Sequence, residues 1–156
     1  MKLRLSLLLI AVVPLLIGAS TPSVSTPAPA TPKHVKYYNQ GVEAQNQGDY
    51  ERAVQLYRKA LRKNPNFPDA LNNLGFSLRS IGKQYLDEAM QHYNKALKLQ
   101  GDHQQALEYQ GELYLWRGEL LKANENYHRL QRLNSREALK LKKHLDQVVA
   151  AAKQLG

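Results

Sequence analysis

The sequence contains no cysteine. This absence excludes disulfide bonds, thiolate metal sites and catalysis by a cysteine nucleophile, and it leaves the redox compartment undefined. No asparagine stands in the Asn-x-Ser/Thr pattern that accepts N-linked glycans. Proline is rare after residue 33. Only Pro65 and Pro68 occur in that part of the chain. The later part of the chain can therefore form long helices with few interruptions.

No arrangement of residues typical of an active site is present. The five histidines form no i, i+4 pair on a helix face, and the chain has no phosphate-binding loop and no G-x-S-x-G motif. Asp87 and Glu88 are adjacent, so on a helix they point to different sides and cannot act as a paired acid and base. We therefore expect a non-enzymatic protein with no cofactor and no metal site.

The composition is that of a folded protein with a moderately basic surface. Of the 156 residues, 43% are hydrophobic and 22% are charged, and the formal net charge is +9. Such a surface could favour anionic partners. However, the basic residues are dispersed along the chain, as on solvated helix faces, and we expect no nucleic-acid ligand.

The first 20 residues have the order of a secretory signal peptide. Lys2 and Arg4 precede an apolar run over residues 5–17, and the small residues Gly18 and Ser20 follow. We predict that residues 1–20 are a signal peptide, cut after Ser20 or one residue earlier, or else an uncleaved anchor. The protein would then be exported to the periplasm of a bacterium or secreted, and it would contact the inner membrane only through an uncleaved segment.

Residues 21–33 are rich in proline, serine and threonine and have almost no large apolar side chain. A segment of this composition cannot bury enough surface to fold. We predict an extended, semi-rigid linker that separates the N-terminal segment from the folded part.

Three glycines mark an internal repeat. Gly41, Gly75 and Gly111 are separated by 34 and 36 residues. Each is followed at a similar distance by an alanine and, four residues later, by a tyrosine; these pairs are Ala53 with Tyr57, Ala89 with Tyr93, and Ala123 with Tyr127. A period of this length indicates stacked helix–turn–helix units.

The repeat resembles the tetratricopeptide repeat (TPR) family, whose pattern appears in the second copy as Leu71-x-x-Leu74-Gly75-x-x-Leu78, Ala89, Tyr93 and Ala96. The resemblance covers about residues 34–137. It implies an all-α, right-handed α-solenoid of three helix–turn–helix repeats at residues 34–67, 68–103 and 104–137. The helical pattern at residues 136–156 predicts a C-terminal capping helix.

Several local features follow from this register. We expect the three repeat glycines to lie where the second helix crosses the first, opposite the small alanines. We expect Gly48, Gly82 and Gly118 to end the first helices in the left-handed conformation. The second copy has two extra residues within Lys83–Tyr85 that the turn must absorb, with Tyr85 either exposed or folded back.

The capping helix has two candidate N-caps, Asn134 and Ser135. Its apolar stripe at helical spacing consists of Leu141, Leu145, Val148, Ala152 and Leu155. We expect this stripe to cover the last apolar surface of the repeats; the alternative is a helix that lies on a membrane surface.

The resemblance implies that the first helices of the repeats line a concave groove for a protein or peptide ligand. In the sugar-transferase branch of the family, asparagines at the position of Asn39 and Asn73 hold a peptide backbone, whereas Tyr109 breaks that ladder here. We expect the Asn73 amide to be free in the unbound protein. The candidate partner-binding residues are Tyr38, Asn39, Val42, Asn46, Asn72, Asn73, Phe76, Arg79, Glu108, Tyr109, Glu112 and Trp116.

The sequence therefore predicts a protein–protein interaction scaffold. The lysine and asparagine clamp of chaperone-binding family members is absent, because Tyr38 and Val42 occupy the corresponding positions. We expect the groove to bind a peptide or helical segment of an envelope or secreted partner. The alternative is a structural self-association module that forms homo-oligomers through the capping helix or an open end of the array.

Overall fold

The computed structural model describes residues 30–154. This part of the chain forms seven α-helices and no strand; the helices are α1 Lys33–Asn46, α2 Tyr50–Lys63, α3 Pro68–Ile81, α4 Leu86–Leu99, α5 Gln104–Trp116, α6 Leu120–Arg132 and α7 Glu137–Gln154. The predicted signal peptide or anchor, most of the predicted linker and Leu155 lie outside the described residues. Within residues 30–154, no helix is both long enough and apolar enough to span a bilayer.

The helices pack as three successive pairs followed by a single helix. Helix α1 packs on α2, α3 on α4 and α5 on α6, and the second helix of one pair also contacts the first helix of the next. Helix α7 packs on both α5 and α6. The predicted all-α solenoid of three helix–turn–helix units with a C-terminal helix is confirmed.

Two of the three turn glycines have the predicted conformation. Gly48 and Gly118 have φ values of 78° and 75°, in the left-handed region that favours glycine. The prediction is wrong for Gly82, whose φ of 161° is extended backbone. The physical reason is the two-residue insertion, since residues Lys83–Tyr85 form a 3₁₀ turn before α4. Tyr85 is half-buried against the core, so it folds back over the turn.

For each repeat glycine, the atom nearest to the position of a Cβ belongs to a large side chain and not to the backbone of a neighbouring helix. A Cβ atom on Gly41 would lie 2.6 Å from Cε1 of Tyr57, and one on Gly75 would lie 2.8 Å from Cε1 of Tyr93. At Gly75 the carbonyl oxygen of the alanine partner Ala89 is also close, 3.1 Å away, as expected. At Gly41 and Gly111 the three nearest atoms belong to the Tyr57 and Leu141 side chains, so an alanine opposite these two glycines stays a prediction.

The buried apolar residues form two main clusters. The first two repeats share one cluster, which includes Tyr57, Leu74, Leu78 and Tyr93. The third repeat shares the other cluster with α7, and its members include Leu107, Leu130, Leu141 and Leu145. The C-terminal helix is thus part of the core of the third repeat.

The connection between α6 and α7 shows which of the two N-cap candidates caps α7. Asn134 has a φ of 50°, a left-handed conformation just after the end of α6. Ser135 Oγ accepts a hydrogen bond from the backbone N–H of Glu137 at 3.2 Å, so Ser135 caps α7. Along the predicted stripe, Leu141 and Leu145 are buried and Val148 is half-buried, whereas Ala152 is exposed.

Candidate functional site

The twelve candidate residues lie on α1, α3 and α5, the first helices of the three pairs, and we call this set the groove face. Direct contacts join α1 to α3 and α3 to α5, so the three helices form one continuous surface. Asn72 and Glu108 are almost fully buried, with exposures of 1% and 3%. The exposed members are Asn39, Asn46 and Trp116. The remaining members are partly buried, and they are Tyr38, Val42, Asn73, Phe76, Arg79, Tyr109 and Glu112.

Arg79 is held at the centre of the groove face by three aromatic rings and one carboxylate. Its guanidinium carbon lies 4.9 Å from the ring centre of Tyr109, 5.5 Å from that of Phe76 and 5.6 Å from that of Trp116. The guanidinium also pairs with Glu112, and the two side chains are only 11% and 12% exposed. Cation–π contacts are strongest in such desolvated surroundings. Through these contacts and the ion pair, Arg79 on α3 stabilises the packing of α3 against α5.

Glu112 extends this network to the C-terminal helix. Its Oε1 lies 2.9 Å from Nδ1 of His144 on α7. One carboxylate thus joins an arginine of the second repeat to a histidine of α7. From the sequence we expected α7 to cap the repeats and did not place His144 beside the groove. The available signal was its position three residues after Leu141 on the inward stripe.

Aromatic rings continue along the groove face beyond Arg79. The ring centre of Phe76 lies 5.1 Å from that of Tyr109 and 6.1 Å from that of Tyr50 at the start of α2. At the other end, Tyr38 packs against Phe67, with ring centres 4.8 Å apart. Such tilted pairs stabilise beyond the area that they bury. Tyr50 and Phe67 were not predicted from the sequence because they stand outside the repeat positions.

The amide of Asn73 already has partners, contrary to the expectation that it is free. Its Nδ2 donates to the Tyr38 hydroxyl at 3.3 Å, and its Oδ1 accepts from Asn72 Nδ2 at 3.1 Å. Burial raises the pKa of the Tyr38 hydroxyl, and the charge of Asp69 raises it further, so the hydroxyl remains protonated. A ligand backbone that left both bonds intact would have only the second N–H and the second oxygen lone pair of this amide to bind.

Glu108 is a carboxyl group inside the wall of the groove. Burial raises its pKa to about 7; Lys140 on α7 opposes this effect and Glu112 adds to it. The Lys140 ammonium lies 3.6 Å from Oε2, and this oxygen has no hydrogen-bond partner. Glu108 is therefore partly neutral near pH 7, and it contributes little charge to the surface that a ligand would meet.

The groove face therefore offers rings and amides for binding, and its charges are internally paired. Beside the groove face, His103 at the N-terminus of α5 contacts Asp69 on α3, with 3.1 Å between Nε2 and Oδ1. Neutral amides can bond a main chain whatever its sequence, and aromatic rings provide apolar contact area.

Two family models match the chain. One described as "TPR repeat" matches residues 46–82, and one described as "Tetratricopeptide repeat" matches residues 68–103. Together they cover the second helix of the first repeat and the whole second repeat. This is the region in which the sequence motif is most complete.

Curated relatives share part of the chain. The Photosystem I assembly protein Ycf3 of Prochlorococcus marinus is 34% identical over 91 residues, which are 56% of this chain and 51% of that protein. The uncharacterized protein MJ0572 of Methanocaldococcus jannaschii is 43% identical over 47 residues, which are 30% of this chain and 55% of that protein. The chain thus spans about half the length of these relatives.

Solved structures share the fold at low sequence identity. The first TPR domain of Spaghetti (RPAP3) bound to an HSP90 peptide has a TM-score of 0.67 and 22% identity, over 76% of this chain and 94% of that one. The TPR2B domain of yeast Sti1 in complex with an Hsp70 peptide has a TM-score of 0.68 and 17% identity, over 76% and 98%. The chain is thus similar to tetratricopeptide repeat sequences over residues 46–103, and the described residues have the fold of a TPR-type helical solenoid.

Proposed function

We propose that the protein is a non-enzymatic scaffold that binds an extended or helical segment of another protein along its groove face. The observation that carries this proposal is the combination of aromatic rings on three adjacent helices with exposed amides on the first of these helices. Tyrosine and tryptophan are common anchors of protein interfaces. The exposed amides of Asn39 and Asn46 can bond a main chain of any sequence.

The neighbours support this type of ligand. Two of the solved domains with this fold are complexes with peptides of HSP90 and Hsp70. Several curated relatives are named as assembly proteins of photosystem I. We therefore propose that the chain acts as an assembly adaptor that holds a segment of its partner.

The chemistry of the groove favours a neutral, partly apolar segment. Arg79 and Glu112 neutralise each other, and their side chains are about nine-tenths buried. Trp116 is 62% exposed beside this pair and offers the largest accessible ring. We expect a bulky apolar side chain of the ligand to pack against Trp116, while its backbone bonds to the exposed amides on α1.

Site-specific photo-crosslinking of the full chain in cells tests the surface. A photoreactive residue replaces Asn46, which is exposed on the groove face, or Gln55, which is exposed on α2 as the matched control. We expect a partner to crosslink from the first position and not from the second. Equal crosslinking from both positions would exclude the groove as the preferred surface.

A synthetic peptide of the crosslinked segment then gives the energetics. Trp116→Ala should weaken binding about tenfold or more, because truncation of an aromatic anchor typically costs above 1 kcal/mol. Leu99→Ala, at a 41% exposed residue at the end of α4, is the control and should bind like the parent. Parental affinity of Trp116→Ala, with an unchanged melting curve, would contradict the proposal.

We also propose that the partner belongs to the cell envelope or is secreted. The support is the basic, apolar and small-residue order of residues 1–20. Fractionation of cells that express the chain with a C-terminal tag should recover the tag outside the cytoplasm. Recovery of the full-length chain as a soluble cytoplasmic protein would contradict this proposal and leave the groove proposal untouched.

A further inference from the structure

A pocket with a volume of about 310 Å³ lies between α5 and α7, and we call it the α5–α7 pocket. Most of its surface is apolar, and a few polar side chains complete it. This combination of apolar walls with a small number of polar groups is typical of ligand-binding pockets. The lining residues that matter here are Leu115, Val148, Ala151, Glu112, Trp116 and His144.

The α5–α7 pocket is continuous with the groove face. Glu112 and Trp116 belong to both, and Trp116 is 62% exposed. On the groove side, the Arg79 guanidinium carbon lies 5.6 Å from the centre of the Trp116 ring and helps to fix the ring in place. A segment bound along the groove face can therefore extend a side chain into this pocket.

The charges around the pocket compensate each other. The Glu112 carboxylate pairs with the Arg79 guanidinium, and both side chains are about nine-tenths buried. Apart from His144, no other titratable residue of the described chain lines the pocket. A charged side chain would lose hydration here without gaining an opposite charge. The occupant that fits the pocket is therefore electrically neutral.

The contact between His144 and Glu112 determines which ring nitrogen of His144 can accept a hydrogen bond. Nδ1 of His144 lies 2.9 Å from Oε1 of Glu112. Because a carboxylate has only acceptor oxygens, Nδ1 carries the hydrogen of this bond. In the neutral ring Nε2 is then an acceptor. The His144 side chain is 42% exposed, so a hydrogen-bond donor on the occupant can reach it.

We propose that the α5–α7 pocket binds an aromatic side chain with a hydrogen-bond donor, a tyrosine or tryptophan of the partner segment; this inference rests on the proposed function of the groove face. These two side chains are neutral and combine a large apolar ring with one polar donor. The ring packs against Trp116, Leu115 and Val148. Its O–H or N–H donates to Nε2 of His144, so α7 selects the anchor residue of the ligand.

Nuclear magnetic resonance of the full chain tests this selection. The chain contains one tryptophan, so the indole N–H of Trp116 gives a single signal that reports on the pocket. The probes are N-acetyltyrosinamide and N-acetylphenylalaninamide, which differ only in the hydroxyl group. We expect both titrations to shift the Trp116 signal, with about threefold or more tighter binding of the tyrosine amide because of its hydrogen bond. His144→Leu should abolish this preference.

Two adjacent alanines on α7 give a matched pair of variants. Ala151 lines the α5–α7 pocket and Ala150 does not, and both are exposed. Ala151→Leu should weaken binding of the tyrosine amide by about tenfold or more, because the larger side chain fills the pocket. Ala150→Leu should bind like the parent. Leucine and alanine have similar helix propensities, so both variants should retain the circular-dichroism spectrum of the parent.

The outcomes separate this proposal from that of the groove face. An unshifted Trp116 signal, equal binding of the two amides by the parent, or equal effects of Ala151→Leu and Ala150→Leu would each overturn the assignment of the pocket. The groove proposal fails separately, through equal crosslinking from Asn46 and Gln55. A partner that crosslinks from Asn46, while neither amide binds, would retain the groove face and exclude the pocket.

Discussion

The first two repeats and the third repeat solve the same packing problem in different ways. In the first two, the space left by the helix glycine is filled by a tyrosine of the same repeat, Tyr57 or Tyr93, and both rings are fully buried. In the third, a Cβ atom on Gly111 would meet Cδ2 of Leu141 on α7, at 2.5 Å.

The tyrosine of the third repeat has a different environment. Tyr127 is half-buried, its hydroxyl accepts a hydrogen bond from Gln131 at 2.8 Å, and its ring packs beside His128. The first two repeats are thus closed by their own side chains, whereas the third repeat depends on the helix that follows it. The largest effects on stability should therefore come from changes to α7.

Removal of α7 is the most severe test of this comparison. Deletion of residues 136–156 would remove Leu141 and Leu145 and expose the buried leucines of the third repeat. Because three repeats are close to the minimum for a stable array, we expect aggregation or a large fall in melting temperature. A truncated chain as soluble and as stable as the parent, measured by thermal denaturation, would show that the third repeat closes itself.

Leu141→Ala should have the next largest effect. The substitution leaves a cavity beside Gly111 in the core of the third repeat, and buried leucine-to-alanine changes typically cost about 2–5 kcal/mol. Leu139→Ala on the same helix is the matched control, because Leu139 is 73% exposed and should change stability little. Urea denaturation of both variants checks the prediction; equal stabilities would contradict it.

A pair of glycine substitutions sharpens the comparison. Gly75→Ala places a methyl group against the Tyr93 ring and 3.1 Å from the Ala89 carbonyl, neither of which can move easily. We expect a loss of about 1–3 kcal/mol from overpacking. The three atoms nearest to the new methyl group of Gly111→Ala are all in the Leu141 side chain, at 2.5 and 2.9 Å for the two Cδ atoms and 3.3 Å for Cγ. Rotation of this flexible side chain and the higher helix propensity of alanine, about 1 kcal/mol, should offset most of the cost. The reverse order of stabilities in denaturant would contradict this account.

The smallest expected effect is a pH dependence at the junction of α5 and α7. The pKa of Glu108 is raised from its ordinary 4.5 to about 7, so the folded protein favours the neutral carboxyl. The stability that this preference contributes is present below about pH 4.5 and is lost as the pH rises through about 7. Glu108→Gln should flatten the dependence of melting temperature on pH between 5 and 8 and stabilise by about 1 kcal/mol at the alkaline end. An unchanged pH profile would show that Lys140 keeps Glu108 ionised throughout.

The sequence predicts the solenoid well because its repeat positions are defined by residue size. The glycine, alanine and tyrosine positions indicate which helix faces meet, and α1 to α6 follow from that register, whereas α7 follows from its own apolar stripe. The position of the insertion after Gly82 was predicted correctly from the longer spacing between Gly75 and Ala89. The backbone path of the insertion was not predicted. The sequence does not distinguish a glycine in the left-handed conformation from one in the extended conformation. The 3₁₀ turn that follows Gly82 is seen only in the structure.

The contacts that shape the groove face could be predicted less well. Tyr127 stands at the same spacing as Tyr57 and Tyr93, and only the position of Leu141 on α7 separates their environments. The pairing of Arg79 with Glu112 joins residues that are 33 positions apart on different helices. Both side chains were placed correctly on the first helices, but their partners depend on rotamers and on helix spacing, to which the repeat pattern is insensitive.

The paired charges of the groove also have a consequence for the speed of binding. Arg79 is neutralised by Glu112, so the centre of the groove presents little unbalanced charge to a ligand. Long-range electrostatic steering would then come only from the rest of the chain, whose net charge is +9, and it would not act on a neutral ligand. Such a ligand should associate at the unsteered rate, on the order of 10⁵–10⁶ M⁻¹ s⁻¹. This rate should change little with ionic strength, so selectivity among ligands would reside in how slowly the correct one leaves.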